Sequence, residues 1–396
     1  MQTETDLENN ENEQLKYKDV ICLSHLRWDF VYQRPQHLLS RFAENGSRVF
    51  FFEEPIFSDE PTHLRKQEKD NNLFVLVPHI SHADRENRNI AEIQRKMLDD
   101  LIEQEYLNDF ISWFYTPMAM DFAAHLQGKA TIFDCMDELS AFKFAPPELI
   151  ANESNLIAKA DLVFTGGHSL YEAKKDRHER VFAFPSSIDV RHFAQARDIS
   201  DEPADQRSIP HPKLGFCGVI DERMNLEMLA EMADLRPEWN FVMIGPVVKI
   251  AQEDLPRRKN IHYLGGKNYK ELPAYFAFWD IALMPFAMNE STRYISPTKT
   301  PEYLAAGKPV ISTPIRDVVR PYGELGLVEI AETAEQFIGA AEKIFRRENS
   351  IEWLKRADEF LSEISWDKTW AEMNRLICEK IEETNQPKAA EKAVGI

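Results

Sequence analysis

Short continuous apolar runs alternate along this chain with longer stretches whose apolar residues recur at helical spacing. Residues 20–24 (VICLS) form such a run, suited to a strand covered on both faces. Residues 35–44 follow, with Leu38, Leu39, Phe42 and Ala43 on one side, which predicts a helix. Further strands are predicted at 49–52, 73–77, 111–115, 131–134, 162–165 and 181–184, with a helix over 90–108. Residues 195–212 (QARDISDEPADQRSIPHP) are polar and proline-bearing and read as an interdomain linker. The pattern then restarts. Strands are predicted at 213–217, 241–244, 261–264, 281–284 and 309–312, and helices at 225–234, 301–306, 333–347, 350–363 and 366–384. Alternation of strand and helix implies parallel sheets with helices on both faces. Two Rossmann-like α/β domains are therefore expected, at 18–195 and 210–365, preceded by a disordered tail at 1–17. The last residues, NQPKAAEKAVGI, read as a frayed end.

Composition narrows the function. The tail carries five acids before the first lysine, Lys16, and the acidic, polar start is the opposite of a secretory leader. No apolar run approaches the about 20 residues of a membrane helix, so a cytoplasmic protein is expected, with at most peripheral contact at the inner membrane face. The chain has 66 acidic and 47 basic side chains, a formal net charge of −19, which argues against nucleic acid as a partner. Cys22, Cys135, Cys217 and Cys378 lie far apart with no paired spacing, which fits a reducing compartment and no zinc knuckle. His25, His37, His168 and His192 show no metal-ligand spacing, so no metal is expected. A dinucleotide GxGxxG, a nucleophile elbow and a phosphate-binding P-loop are all missing.

Open parallel sheets bind ligands beyond the carboxyl ends of their strands, so two such domains predict a cleft between them. The richest segment is 284–314 (MPFAMNESTRYISPTKTPEYLAAGKPVISTP). Here Ser296-Pro297-Thr298-Lys299-Thr300-Pro301 leads into a helix, with Pro301 in its first turn and Thr300 at its cap. Free amides at that helix start, with Lys299, would hold a diphosphate, and Glu302 would accept hydrogen bonds from ribose hydroxyls. The alternative is an ordinary capped helix with both charges solvated. After the first strand come His25-Leu26-Arg27-Trp28-Asp29 and Tyr32-Gln33-Arg34. Trp28 and Tyr32 could stack on a sugar and Arg34 could hold an acceptor phosphate; or the two aromatics pack the loop and Arg34 pairs with Asp29 or Glu54. Asp137, in FDCMDE just past a buried strand, could orient or deprotonate an acceptor hydroxyl, or cap a helix.

Residues 296–310 resemble the donor-sugar segment of GT-B glycosyltransferases of the family 4-like group, in which a serine-proline, a lysine and a helix-opening glutamate precede AAGKPV. KLGFCG at 213–218, FVMIGP at 241–246, IHYLG at 261–265, ADLVFT at 160–165 and FPSSIDVRHF at 184–193 are similar, in order, to other parts of that fold. The RPQH helix and the DCMD segment resemble bacterial exopolysaccharide and teichuronic-acid-type transferases. The resemblance implies two domains facing a cleft, a carboxyl-terminal helix at 366–385 crossing back to the first domain, and a sugar moved, with retention, from a nucleotide diphosphate sugar such as a UDP-sugar to a hydroxyl of a glycan or lipid-linked saccharide. It implies Gly218, Gly245, Leu264, Ser296, Thr298, Thr300 and Glu302 at the donor and no metal; the loop matching the glycine-rich one of relatives lacks glycine here and is aromatic and basic, and its His25, Trp28, Tyr32 and Arg34 are the acceptor candidates on their own chemistry. The sequence departs from the group at three positions: Tyr294 replaces a glutamate, with Glu290 the nearest acid, and Val219 and Asn225 replace an arginine and a lysine. Arg223 is the candidate replacement, unless it is tied up in a surface salt bridge, with Lys249 and Lys267 in reserve. Arg223, Lys299 and Asp137 are then the catalytic candidates. A sugar-nucleotide epimerase and a non-catalytic nucleotide-sugar-binding scaffold are the competing readings.

Overall fold

The computed structural model describes residues 15–70, 72–347 and 350–385. Among them are two sheets. The first contains β1 (Asp19–Leu23), β2 (Arg48–Phe52), β3 (Ile56–Ser58), β4 (His63–Asp70), β5 (Leu73–Ser81), β6 (Phe110–Phe114), β7 (Thr131–Cys135), β8 (Leu162–Thr165) and β9 (Val181–Ala183). Its order is β3-β5-β2-β1-β6-β7-β8-β9, with β4 on the outer side of β5. The second holds β10 (Lys213–Cys217), β11 (Asn240–Ile244), β12 (Ile261–Gly265), β13 (Ile281–Met284), β14 (Val310–Ser312) and β15 (Val328–Ile330), in the order β12-β11-β10-β13-β14-β15.

All pairings are parallel except that of β4 with β5. Strands such as DVICL, FISWF and TIFDC are buried along their whole length because helices cover both faces. In each sheet the first strand is central. β1 lies between β2 and β6, and β10 between β11 and β13, so the strand order reverses at both. A crevice opens at such a reversal, beyond the carboxyl ends of the strands. The helix Arg34–Glu44 starts at one crevice, with Pro35 in its first turn and the Gln33 amide bonded to Gln36 Oε1 at 3.0 Å.

Several features depart from the expected pattern. The tail and the frayed end fall mostly on 1–14 and 386–396, outside the described residues. Tyr17, assigned to that tail, is instead buried, and its hydroxyl donates to Asn374 Oδ1 at 2.7 Å. The segment 195–212 is folded onto the second sheet rather than spanning open space. Gln206 is fully buried, accepts from Trp279 Nε1 at 3.0 Å and donates to the Tyr275 carbonyl at 3.1 Å. Strands β3, β4 and β15 are additional. β4 reads HLRKQEKD, whose charges suit an exposed outer edge that must not pair with another chain.

Helix Trp366–Asn385 packs on the first sheet. Trp366, Met373, Leu376, Ile377, Cys378 and Ile381 join the same core as Val20, Phe42 and Trp113. No helix among the described residues is long and apolar enough to cross a membrane.

Candidate active site

The two sheets meet across a recess lined by the start of the helix Arg34–Glu44 and by residues past β7, β8, β10 and β13. Gln33, Arg34, Asp137, Arg223, Ser296 and Lys299 are among them. Lys299 opens the helix Lys299–Ala305. Its side chain passes beside Gly218, at the end of β10. A Cβ on Gly218 would lie 2.1 Å from Lys299 Cε, and Gly218 has φ +149°, so this position demands glycine twice over. Gly245 closes the turn after β11, and a Cβ there would stand 1.9 Å from the Gly218 carbonyl oxygen. The two glycines thus let two strand ends and a lysine converge.

Lys299 Nζ lies 5.6 Å from the Phe216 ring centroid and 6.0 Å from that of Phe286. It makes no hydrogen bond or ion pair among the described residues. Burial lowers its pKa, and Arg223 lowers it further while Glu302 acts in the opposite sense. The Glu302 carboxylate, one turn on, has no hydrogen-bond or ion-pair partner among the described residues either. Burial lifts its pKa to about 7, against the pull of Lys299. A cation and a carboxylate are therefore held in low dielectric without hydrogen bonds, so both have unused bonding capacity.

The helix start offers fewer donors than expected. Thr300 is not the cap: its side chain is fully buried and its hydroxyl points to Met284 Sδ at 3.5 Å. Thr298 holds the cap position without a side-chain cap bond. The amides of Thr300 and Glu302 already donate to the Pro297 and Thr298 carbonyls, both at 3.3 Å. Ser296 is engaged across the recess: its carbonyl accepts from Ser186 Oγ at 2.5 Å and its hydroxyl from the Ser186 amide at 3.4 Å. Leu264 packs partly buried on the second core near the end of β12.

Arg223 forms a bidentate pair with Asp221, with Nη2–Oδ2 at 2.7 Å and Nε–Oδ1 at 3.0 Å. Its guanidinium also sits 5.5 Å from the Phe142 ring centroid, on a loop of the first unit. It still lines the recess, so its charge faces the site although partly offset. Lys249 Nζ lies 4.6 Å from the same ring and 3.9 Å from Glu222 Oε1. Lys267, the other reserve cation, is bound to Asp205 at 2.6 Å, which ties it elsewhere. Asp137 accepts no hydrogen bond on its carboxylate among the described residues. Burial raises its pKa, with Arg223 and Lys249 opposing.

The expected acceptor loop is used differently. Arg34 is buried on the fully buried Asp134, with Nη2–Oδ1 at 2.8 Å and Nε–Oδ2 at 3.0 Å. Its Nη1 donates to the Phe184 carbonyl at 2.7 Å. That guanidinium is a structural tie rather than a free anion holder, and its partner is neither Asp29 nor Glu54. Trp28 packs edge-on to Phe51 at 5.1 Å, and its amide donates to Glu53 Oε1 at 2.7 Å. Tyr32 stacks on Tyr269 of the second unit at 4.3 Å, so it joins the two units instead of offering a bare sugar platform. His25 stays near the site, neutral: burial and Lys249 lower its pKa to about 4, and its Nδ1 is buried without a hydrogen bond.

Four residues at the site escaped the sequence reading. Glu222 has both carboxylate oxygens buried without hydrogen bonds; it adjoins Arg223 in DER, which was its only signal. Phe142 and Phe286 stand beside the cations. Tyr303 fixes the end of β10, its hydroxyl accepting from the Cys217 amide at 2.8 Å.

Residues 211–347 match the family described as Glycosyl transferases group 1. A relative from Bacillus subtilis (strain 168), TuaH, named as a teichuronic acid biosynthesis glycosyltransferase, is 26% identical over 238 residues, covering 54% of this chain. That alignment takes in 58% of the relative's own length. Among solved structures, a trehalose-6-phosphate structure from E. coli bound with UDP-2-fluoro glucose matches with a TM-score of 0.66 at 13% identity, over 92% of this chain and 99% of that one. A sucrose-phosphate synthase from Thermosynechococcus elongatus matches with a TM-score of 0.69 at 12% identity, over 92% and 100%. At these identities the likeness concerns architecture, and the architecture is GT-B: two parallel-sheet α/β domains across a cleft.

Proposed function

We propose that this protein is a glycosyltransferase that moves a sugar from a nucleotide diphosphate sugar, a UDP-sugar by preference, to a hydroxyl of a glycan or lipid-linked saccharide in cell-surface polysaccharide synthesis. One observation carries the reading: Lys299, threaded past Gly218, stands unpaired beside the equally unpaired Glu302. Such a pair suits a diphosphate on the lysine and ribose hydroxyls on the carboxylate. The relative's name supports a polysaccharide acceptor, and the structure bound with UDP-2-fluoro glucose supports the uridine donor.

In the reaction, the bond from the sugar's anomeric carbon to the diphosphate breaks, and a bond to the acceptor oxygen forms. Negative charge builds on the departing diphosphate, and Lys299 with Arg223 would stabilise it. Their charge does there what a metal ion does in other transferases. Asp137 would accept the hydrogen bond of the attacking hydroxyl and take its proton, a role its raised pKa suits. The family resemblance supports retention of anomeric configuration, which NMR of the first-formed product reads. A cytoplasmic reaction, with peripheral contact at the inner membrane face for a lipid-linked acceptor, fits nucleotide-sugar supply.

A thermal-shift panel of nucleotide diphosphates and their sugars tests the donor site. A ligand of the folded state raises the melting temperature by linkage. The expected result is a shift with one sugar nucleotide that Lys299→Ala abolishes. No shift from any nucleotide at millimolar concentration would overturn the donor-site reading.

A further inference from the structure

Far along the first sheet from the recess, the crossover from β3 to β4 passes the carboxyl end of β5. His63, the first residue of β4, pairs in register with His79 of β5. Their rings lie face to face, 4.8 Å between centroids and 16° between planes. Glu60, in the crossover turn, brings its Oε2 to 3.6 Å from His79 Nδ1. One ligand-capable atom from each of the three residues lies within 4.8 Å of the other two, a grouping found nowhere else among the described residues.

We propose that Glu60, His63 and His79 bind one zinc(II) ion. Two independent observations on the imidazoles support it. Both ring nitrogens of His79 are buried, and neither has a hydrogen-bond partner. A polar group in that state is expected to have a partner. His63 Nδ1 stands 2.8 Å from the Pro61 carbonyl oxygen. A carbonyl only accepts, so that contact places the proton on Nδ1 and leaves the Nε2 lone pair free. In the stack the in-plane lone pairs of the two rings run nearly parallel, so binding one ion requires the exposed His63 ring to turn about its Cβ–Cγ bond toward His79 and Glu60. Bonds of about 2.1 Å at tetrahedral angles separate neighbouring ligand atoms by roughly 3.4 Å, close to the 3.6 Å between Glu60 and His79. Two imidazoles and a carboxylate are a zinc-type donor set, with the fourth position open to water.

The ion would staple the crossover turn to two strands. β3 would be fixed with it, and Phe57 of that strand lines a second recess with Glu53 and Glu54 near the end of β2. The site is separate from the donor recess and independent of the transfer reaction.

The test uses the full chain, free of affinity tags and stripped with a chelator. Zinc is titrated by calorimetry, and cobalt(II) substitution reads the coordination from its visible absorption. The expected result is one equivalent bound. Affinity should fall by more than about tenfold in both His63→Ala and Glu60→Gln, whose side chains are exposed enough to spare the fold. Hydrogen exchange over residues 56–64 should slow on adding zinc to the wild type and not to His63→Ala. Absence of stoichiometric binding, or binding that survives His63→Ala, would overturn the proposal.

Discussion

Glu302 offers the sharpest separation of folding from function. Its carboxyl titrates at about 7 in the folded chain because burial disfavours the charge. In an unfolded chain it would titrate near the ordinary 4.5. Between these two values the folded state holds a proton that the unfolded state has released, so stability falls as pH rises through that window. Above it, the folded protein carries a buried charge it would be better without. A rise from 4.5 to about 7 corresponds to roughly 3 kcal/mol at 1.36 kcal/mol per pH unit. The side chain keeps some contact with solvent, so we take about 1–2 kcal/mol. Glu302→Gln keeps the shape and removes the charge. At pH 8 it should raise the melting temperature by roughly 2–8 °C. At pH 5, where the wild-type carboxyl is protonated, the two proteins should melt nearly together. The same variant should lose nucleotide binding, because the amide cannot replace a carboxylate that accepts two hydroxyls. Melting curves at both pH values with and without nucleotide read all of this. A variant that is destabilised equally at pH 5 and pH 8 would refute the reasoning, since Glu302 would then be an ordinary structural carboxylate.

Gly218→Ala should push Lys299 out of position and weaken donor binding to the level of Lys299→Ala. The double variant should then lose nothing further, and additive losses would show that the two do not share a role. Arg34→Ala leaves the buried Asp134 charge without its partner, and urea unfolding should show a loss of about 3–5 kcal/mol; a loss below about 1 kcal/mol would mean the pair is hydrated. Asp137→Asn should lower kcat by about 10²–10⁴-fold while donor binding persists, and an equal loss of donor binding would move Asp137 to the donor side.

The recess around Lys299 was legible where its signals are local. Lys299 and Glu302 stand three residues apart on a helix marked by Pro301, and glycines end the strands around them. The first strand of each sheet was legible because a doubly covered strand is apolar throughout. What escaped depends on distance. The partner of Arg34 was missed, with Asp29 and Glu54 the candidates at hand, because Asp134 lies 100 residues away. Tyr32 looked like a sugar platform because Tyr269 is a remote neighbour that only the folded chain supplies. Thr300 has the chemistry of a cap, yet it falls two positions inside the helix and faces Met284. Strand β4 escaped because its charged sequence serves an edge, where apolar alternation is unnecessary.

The path of the last helix has a consequence for biosynthesis. The residues that complete the first core, Trp366 to Ile381, leave the ribosome after the entire second unit. Until then the apolar faces of Phe42 and Trp113 lack their cover, so the amino-terminal half cannot reach its final packing as it emerges. The second unit, whose core draws on no residue beyond Ile364, can close first. Maturation therefore runs against the usual order of vectorial synthesis. A stop codon placed just before Trp366 should leave the second unit intact and the first as an aggregation-prone intermediate.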